Sequence, residues 1–390
     1  MMKKLVSILF FLVLLVVLTV NCAGIKTSIL GESEVDMKRL EELDTIIPQE
    51  MEKGKIPGVV VCVGSKEKIY FEKAFGYAGI EPEKVPMKID TIFDLASVTK
   101  PVGTATSIMI LVDRGKLGLD DKVSKYIPEF ASKGKENATI KNLLTHSSGL
   151  PAYMSAKNLQ DKYGCPCPDA MIKEIANLEA KYEPGKDYIY SCLGFITLSE
   201  IVKIVSGQDL DTFSRENLFK PLGMKETMYL LPDDLKKRCI VTTKREDGKW
   251  IQGEVHDPLA YLRGGISGNA GLFSTDDDIV KFARMMLNYG EYKGVRILKR
   301  ETVELMTSDV TGKGRGLGWC KGSVLPYLKQ DLSDNSYGHT GYTGTSIWID
   351  PINDIFVILF TNRVHPDDKS DAKDIRNAVS KAVSSAIVKK

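Results

Sequence analysis

Hydrophobic positions recur with two different periods along this chain, and the change of period divides it. Met37, Leu40, Leu43, Ile47 and Met51 repeat at helical spacing, which predicts an amphipathic helix ended by Pro57-Gly58. Val59 to Val63 and Ile69 to Tyr77 are β-branched and aromatic. The polar Ser65-Lys66-Glu67-Lys68 between them reads as a hairpin turn. After Pro101, Val102, Ala105, Met109 and Val112 mark one face of a helix closed by Gly115. The pattern then stays mostly helical to about residue 235, with turns at Pro128, Ser148-Gly149 and Pro184-Gly185. Leu193 to Val205 is strongly helical, with Gly207 as its cap. Strand character returns at Ser346 to Ile349 and Ile355 to Thr361, around the turn Asp350-Pro351-Ile352-Asn353-Asp354, and Ala372 to Val388 reads as a final helix. This order predicts one sheet drawn from both chain ends, with a helical block inserted between them. The expected units are 35–100 with 250–390 for the sheet, and 101–249 for the insertion.

The N-terminus follows neither period. Met1-Met2-Lys3-Lys4 precedes an unbroken apolar run from Leu5 to Val20, as in a secretory signal. An uncleaved membrane anchor is the alternative, since the run approaches bilayer-spanning length. Cys22 follows the run, as in a bacterial lipoprotein signal, although Asn21 stands where a small residue is usual. We therefore expect residues 1–22 to direct export, residues 23–34 to act as a linker, and Cys22 to be a candidate for lipid attachment. The protein would then reside in the cell envelope or outside the cell.

Composition narrows the function classes. With a net charge of +2 over 390 residues, nothing argues for nucleic acid or an acidic partner. The seven cysteines are scattered and outline no disulfide framework. Cys165 and Cys167 lack a nearby second ligand pair for a metal, and the four histidines are far apart. No metal or organic cofactor is expected.

Chemistry enters at Ser97-Val98-Thr99-Lys100. Residues three apart share one face of a helix, so Lys100 can reach the Ser97 hydroxyl. A deprotonated amine there can take the proton that makes Ser97 a nucleophile. Two later segments join it: Tyr190-Ser191-Cys192 and His339-Thr340-Gly341. In that order and at those separations the three resemble the penicillin-recognising serine hydrolases. The nearest branch holds class C β-lactamases, D-alanyl-D-alanine carboxypeptidases and related esterases and amidases. Leu143-Leu144-Thr145-His146-Ser147-Ser148-Gly149-Leu150, Pro221-Leu222-Gly223-Met224 and Gly265 to Leu272 extend the likeness over roughly residues 37 to 385.

The resemblance implies a β-lactamase/transpeptidase-like α/β (α+β) fold. Its antiparallel sheet is flanked by the N- and C-terminal helices and carries an inserted, mostly helical domain. It implies catalysis by Ser97, Lys100 and Tyr190, with an oxyanion hole from the backbone N–H groups of Ser97 and Tyr342. Cys192, His339, Thr340 and Gly341 would contact substrate, and Gly341 would leave room for it beside the strand. Two departures matter. Cys192 stands where the family often has Asn, and a thiol is a weak hydrogen-bonding group. His339 replaces a usual Lys, and an ordinary histidine changes charge near pH 6.5. Both argue against an efficient β-lactamase. The expected substrate is a small molecule or a peptidoglycan fragment, with a carboxylesterase and a non-turnover β-lactam sensor as alternatives. Gly265 to Gly271 is expected to lie close to the cleft.

Overall fold

The computed structural model describes residues 34–322 and 332–388. The apolar N-terminal run, Cys22 and the linker through residue 33 lie outside the described residues. Among the described residues no helix is long and apolar enough to cross a membrane.

The alternation of apolar residues decides how the central sheet is buried. It has seven strands, β1 (Gly58–Gly64), β2 (Ile69–Gly79), β3 (Val85–Pro86), β4 (Cys320–Lys321), β5 (Tyr337–Thr340), β6 (Ser346–Asp350) and β7 (Ile355–Thr361). Their spatial order is β4-β5-β6-β7-β1-β2-β3, and every neighbouring pair is antiparallel. The sheet thus joins both chain ends, with Ile358 of β7 opposite Cys62 of β1 and Cys62 opposite Glu72 of β2.

Successive side chains of a strand point to opposite faces. Val59, Val61 and Val63 therefore enter one core with Leu43, Ile47, Ile375, Val379 and Val383. Those partners sit on α1 (Leu43–Gly54) and α5 (Lys373–Ala386). Val60, Cys62, Ile347, Ile349, Phe356 and Ile358 enter the larger core, which also holds Phe282 and Met286 of α4 (Asp276–Leu287). Every residue of β1 and β7 is buried, because both faces are covered.

Several elements depart from the sequence expectation for local reasons. The first helix is divided into Met37–Glu41 and α1, and α1 stops at Gly54, before Pro57. Lys55 adopts a left-handed conformation there and closes the last turn. The segment after Ser97 is a wide-turn helix, Lys100–Ala105, which continues as α2 (Thr106–Asp113). All residues from Lys100 to Leu111 are buried, so this helix has no polar face to set a period. The helix after Tyr190, α3 (Cys192–Ser206), ends at left-handed Gly207 as expected. At the C-terminus α5 ends at Ala386, and Ile387–Val388 pairs with Glu34–Val35 instead of continuing the helix.

Candidate active site

Ser97 lies in a short turn, Ala96–Val98, between a two-strand bridge at Phe93–Asp94 and the buried helix. Ala96 has φ +45°, a conformation that L-residues with a side chain rarely adopt. Such strain costs on the order of 1–3 kcal/mol and persists only where surroundings enforce it. Here they do. Asp94 accepts hydrogen bonds from the Ala96 N–H (2.8 Å) and the His256 N–H (2.8 Å). The Thr343 hydroxyl donates to the Asp94 carbonyl (2.7 Å), and the Thr345 hydroxyl donates to the Leu95 carbonyl (2.9 Å). The loop after β5 is thereby fastened to the turn that carries Ser97.

Lys100 is completely buried, and its ammonium has three acceptors. They are Ser97 Oγ at 3.0 Å, the Asn269 carbonyl at 2.9 Å and Cys192 Sγ at 3.6 Å. The i,i+3 reach inferred from the sequence is realised. Burial pulls the Lys100 pKa down, but Cys192 and Tyr190, as anions, pull it up by more, and the net direction is upward. The reason is the pair of acidic partners packed on the amine. Tyr190 is raised chiefly by burial, against the opposing influence of Lys100 and Ser97. The Lys100 Nζ lies 4.9 Å from the centre of the Tyr190 ring.

Tyr190 is held by His146, which the sequence offered only as part of the family-like segment Leu143 to Leu150. His146 has φ +58° and is buried. Its Nδ1 accepts the Ser191 N–H at 3.0 Å, and its ring packs on Tyr190 with centroids 4.5 Å apart. Burial, then Arg315 and Lys100, keep its pKa well below the usual value, so it is a neutral acceptor. Ser191 caps α3 by accepting the Gly194 N–H, and its hydroxyl donates to the Pro151 carbonyl.

The opposite wall is β5 and its loop. Ser97, Tyr190, His339, Thr340, Gly341 and Tyr342 border one cavity of about 580 Å³. Lys100 and Cys192 lie behind it and meet each other as described. A Cβ on Gly341 would fall 2.1 Å from Thr345 Oγ1 and 2.5 Å from the Leu95 carbonyl. The glycine therefore permits the strand to approach the Ser97 turn, a requirement internal to the protein. The Tyr342 N–H makes no hydrogen bond to any described residue.

His339 behaves differently from the sequence expectation. Burial first, then Lys100 and Arg315, push its pKa down to about 3, so it stays neutral instead of titrating near 6.5. Its Nδ1–H donates to the Thr340 carbonyl (2.8 Å), leaving Nε2 as a buried acceptor without a partner. Positive charge on this cavity comes instead from Arg315, Arg363 and Arg376. Arg376 donates to the carbonyls of Gly341 (3.0 Å) and Thr345 (2.9 Å), and Arg363 donates to the carbonyl of Tyr342 (2.7 Å). No motif announced these arginines, because they come from two separate loops and from α5. The expected closeness of Gly265–Gly271 is met at Asn269, whose carbonyl touches Lys100. The Asn269 amide in turn donates to Asp257 (3.0 Å).

The Beta-lactamase family model matches residues 43–380. The chain belongs to the Beta-lactamase family. It is 34% identical over 366 residues to an N-acetylmuramyl-L-alanine amidase of Bacillus subtilis strain 168, covering 85% of this chain and 83% of the relative. It is 33% identical over 394 residues to an Escherichia coli K12 protein named, provisionally, a D-alanyl-D-alanine carboxypeptidase, with 89% of each covered. Among solved structures, the octameric penicillin-binding protein homologue from Pyrococcus abyssi superposes with a TM-score of 0.71 at 25% identity, covering 88% of this chain and 76% of that one. EstCE1, a hydrolase with promiscuous acyltransferase activity, shares the fold with a TM-score of 0.72 at 22% identity, covering 89% and 99%. The chain is a β-lactamase-related serine hydrolase, akin to carboxypeptidases and amidases.

Asp94 makes the nucleophile turn sensitive to pH. Burial, opposed by the His256 and Ala96 N–H groups and aided by Asp257, lifts its pKa from 3.8 to about 6. A raised folded pKa means that this group's stabilisation is full below about pH 4 and is lost as pH rises through about 6. Urea unfolding at several pH values should show the wild type losing about 3 kcal/mol across that window relative to Asp94→Asn. Equal slopes for the two proteins would refute this assignment.

Proposed function

We propose that this protein is an exported serine hydrolase that cleaves a cell-wall-derived peptide or amide through an acyl-enzyme. The observation that carries the reading is the 3.0 Å hydrogen bond from Lys100 Nζ to Ser97 Oγ, with Tyr190 packed over the same amine. Ser97 Oγ attacks the substrate carbonyl while its proton passes to the Lys100–Tyr190 pair. The developing oxyanion is received by the N–H groups of Ser97 and Tyr342, and losing one such donor typically costs about 3 kcal/mol of barrier. Tyr190 then hands a proton to the leaving amine and, after it departs, helps water attack the ester.

The cell-wall assignment rests on two kinds of support. The relatives at 34% and 33% identity are named for muramyl-alanine amide and D-alanyl-D-alanine cleavage. The cavity beside Ser97 carries arginines, and guanidinium groups suit a substrate carboxylate. The neutral His339 offers Nε2 as an acceptor for a substrate N–H or O–H. Export rests on the basic start and apolar run of residues 1–20, with Cys22 as a site for lipid attachment to a membrane. Cys192 at the position that often holds an amide side chain keeps the carboxylesterase reading open.

A panel of muropeptides, D-alanyl-D-alanine peptides and p-nitrophenyl esters separates these readings. We expect turnover of at least one cell-wall peptide, reduced at least about 10³-fold in Ser97→Ala. Turnover confined to esters would replace this reading with the carboxylesterase. A single equivalent of product would indicate a trap.

The pH profile tests the proton route. Lys100 and Tyr190 are both raised, so one proton must leave the pair before it can accept that of Ser97. The value of kcat/KM should therefore climb from about pH 6 to about pH 9, and Tyr190→Phe should lose most of the rate and shift the ascending limb to lower pH, since Tyr190 helps to raise Lys100. A flat wild-type profile would contradict that route.

A further inference from the structure

The far edge of the larger core holds a cluster that the hydrolase chemistry does not use. Cys62 of β1, Glu72 of β2 and Asp276 at the start of α4 bring one sulfur and two carboxylates within 4.8 Å of one another. The strand register explains the first pair, since Cys62 and Glu72 are direct cross-strand partners, with Sγ 3.8 Å from Oε1. Asp276 completes the group from the helix. It is 0% exposed, and neither of its carboxylate oxygens makes a well-formed hydrogen bond, the neighbouring polar groups being the Asp277 N–H and Glu72. A buried carboxylate without a full set of partners is costly.

The geometry points to a divalent metal site of the zinc class, ligated by Cys62, Glu72 and Asp276. Zinc–sulfur and zinc–oxygen bonds of about 2.3 and 2.1 Å place tetrahedral ligand atoms about 3.6 Å apart. The Cys62–Glu72 separation of 3.8 Å is close to that, and since the three ligand atoms lie within 4.8 Å of one another, Asp276 needs to close by little more than about 1 Å to bind. A thiolate with two carboxylates suits zinc, whereas magnesium and calcium prefer oxygen alone. Glu72 borders a cavity of about 740 Å³, so an ion would reach the buried Cys62 and Asp276 past this side chain. Lys73 borders the same cavity, but its ammonium is held by Asp44 at 2.6 and 2.7 Å. None of Ser97, Lys100 and Tyr190 borders this cavity. The bound ion would clamp two sheet strands to α4, away from the hydrolase centre.

The test uses the full chain, incubated with Zn²⁺, dialysed and assayed for metal by mass spectrometry. We expect one retained ion per chain in the wild type and at least a tenfold loss of affinity in Glu72→Gln, which changes a half-buried side chain conservatively. Asp276→Asn is the second variant, and circular dichroism with thermal melting checks that both fold. Loading with Co²⁺ should give a thiolate-to-metal charge-transfer band that is absent in Cys62→Ser. A folded wild type that retains no metal would overturn the proposal. So would equal retention by Glu72→Gln and Asp276→Asn, or a cobalt spectrum unchanged by Cys62→Ser.

Discussion

The buried ammonium of Lys100 is the constraint around which the rest is arranged. A charge without water must spend its donors on protein acceptors, and an ammonium has three donors. Lys100 uses them on Ser97, Cys192 and the Asn269 carbonyl, from three separate segments of the chain. The bonds therefore fix the nucleophile turn, the start of α3 and the Gly265–Gly271 loop against one another. The same charge acts at longer range, since it helps to keep His146 and His339 neutral. Those two rings then serve as acceptors and packing surfaces around Tyr190 and β5.

Strain at the nucleophile is balanced by the sheet. The left-handed Ala96 is tolerated because Asp94 takes its N–H and because Thr343 and Thr345 bond the adjoining carbonyls. Arg376 of α5 then holds the same loop by the carbonyls of Gly341 and Thr345. A chain of polar contacts thus runs from the C-terminal helix through the loop after β5 to Ser97. The sheet and its two apolar cores supply the rigidity that positions these contacts.

Much of this was legible in the sequence where the signal was local. The hairpin around Ser65, the strands at Ser346 and Ile355, and the Gly207 cap depend on neighbouring residues, and they form as expected. Ser97 and Lys100 were legible because i,i+3 spacing guarantees proximity on a helix. Tyr190 and the His339-Thr340-Gly341 strand were legible only through the family resemblance. The remainder depended on tertiary context. The helix after Ser97 is buried all round, so its periodicity misrepresented its surroundings. The part played by His146 follows from a left-handed backbone and a hydrogen-bond partner 45 residues away. The loss of charge at His339 follows from burial beside Lys100 and Arg315, which no linear spacing encodes.

The central claim is that Ser97, activated by Lys100 and Tyr190, becomes covalently acylated. Acid-quenched peptide mapping during turnover of p-nitrophenyl butyrate tests it most directly. The account predicts one butyryl group on the peptide carrying Ser97 and none in Ser97→Ala. Steady hydrolysis with no acyl group on that peptide, at a rate unchanged in Ser97→Ala, would contradict it.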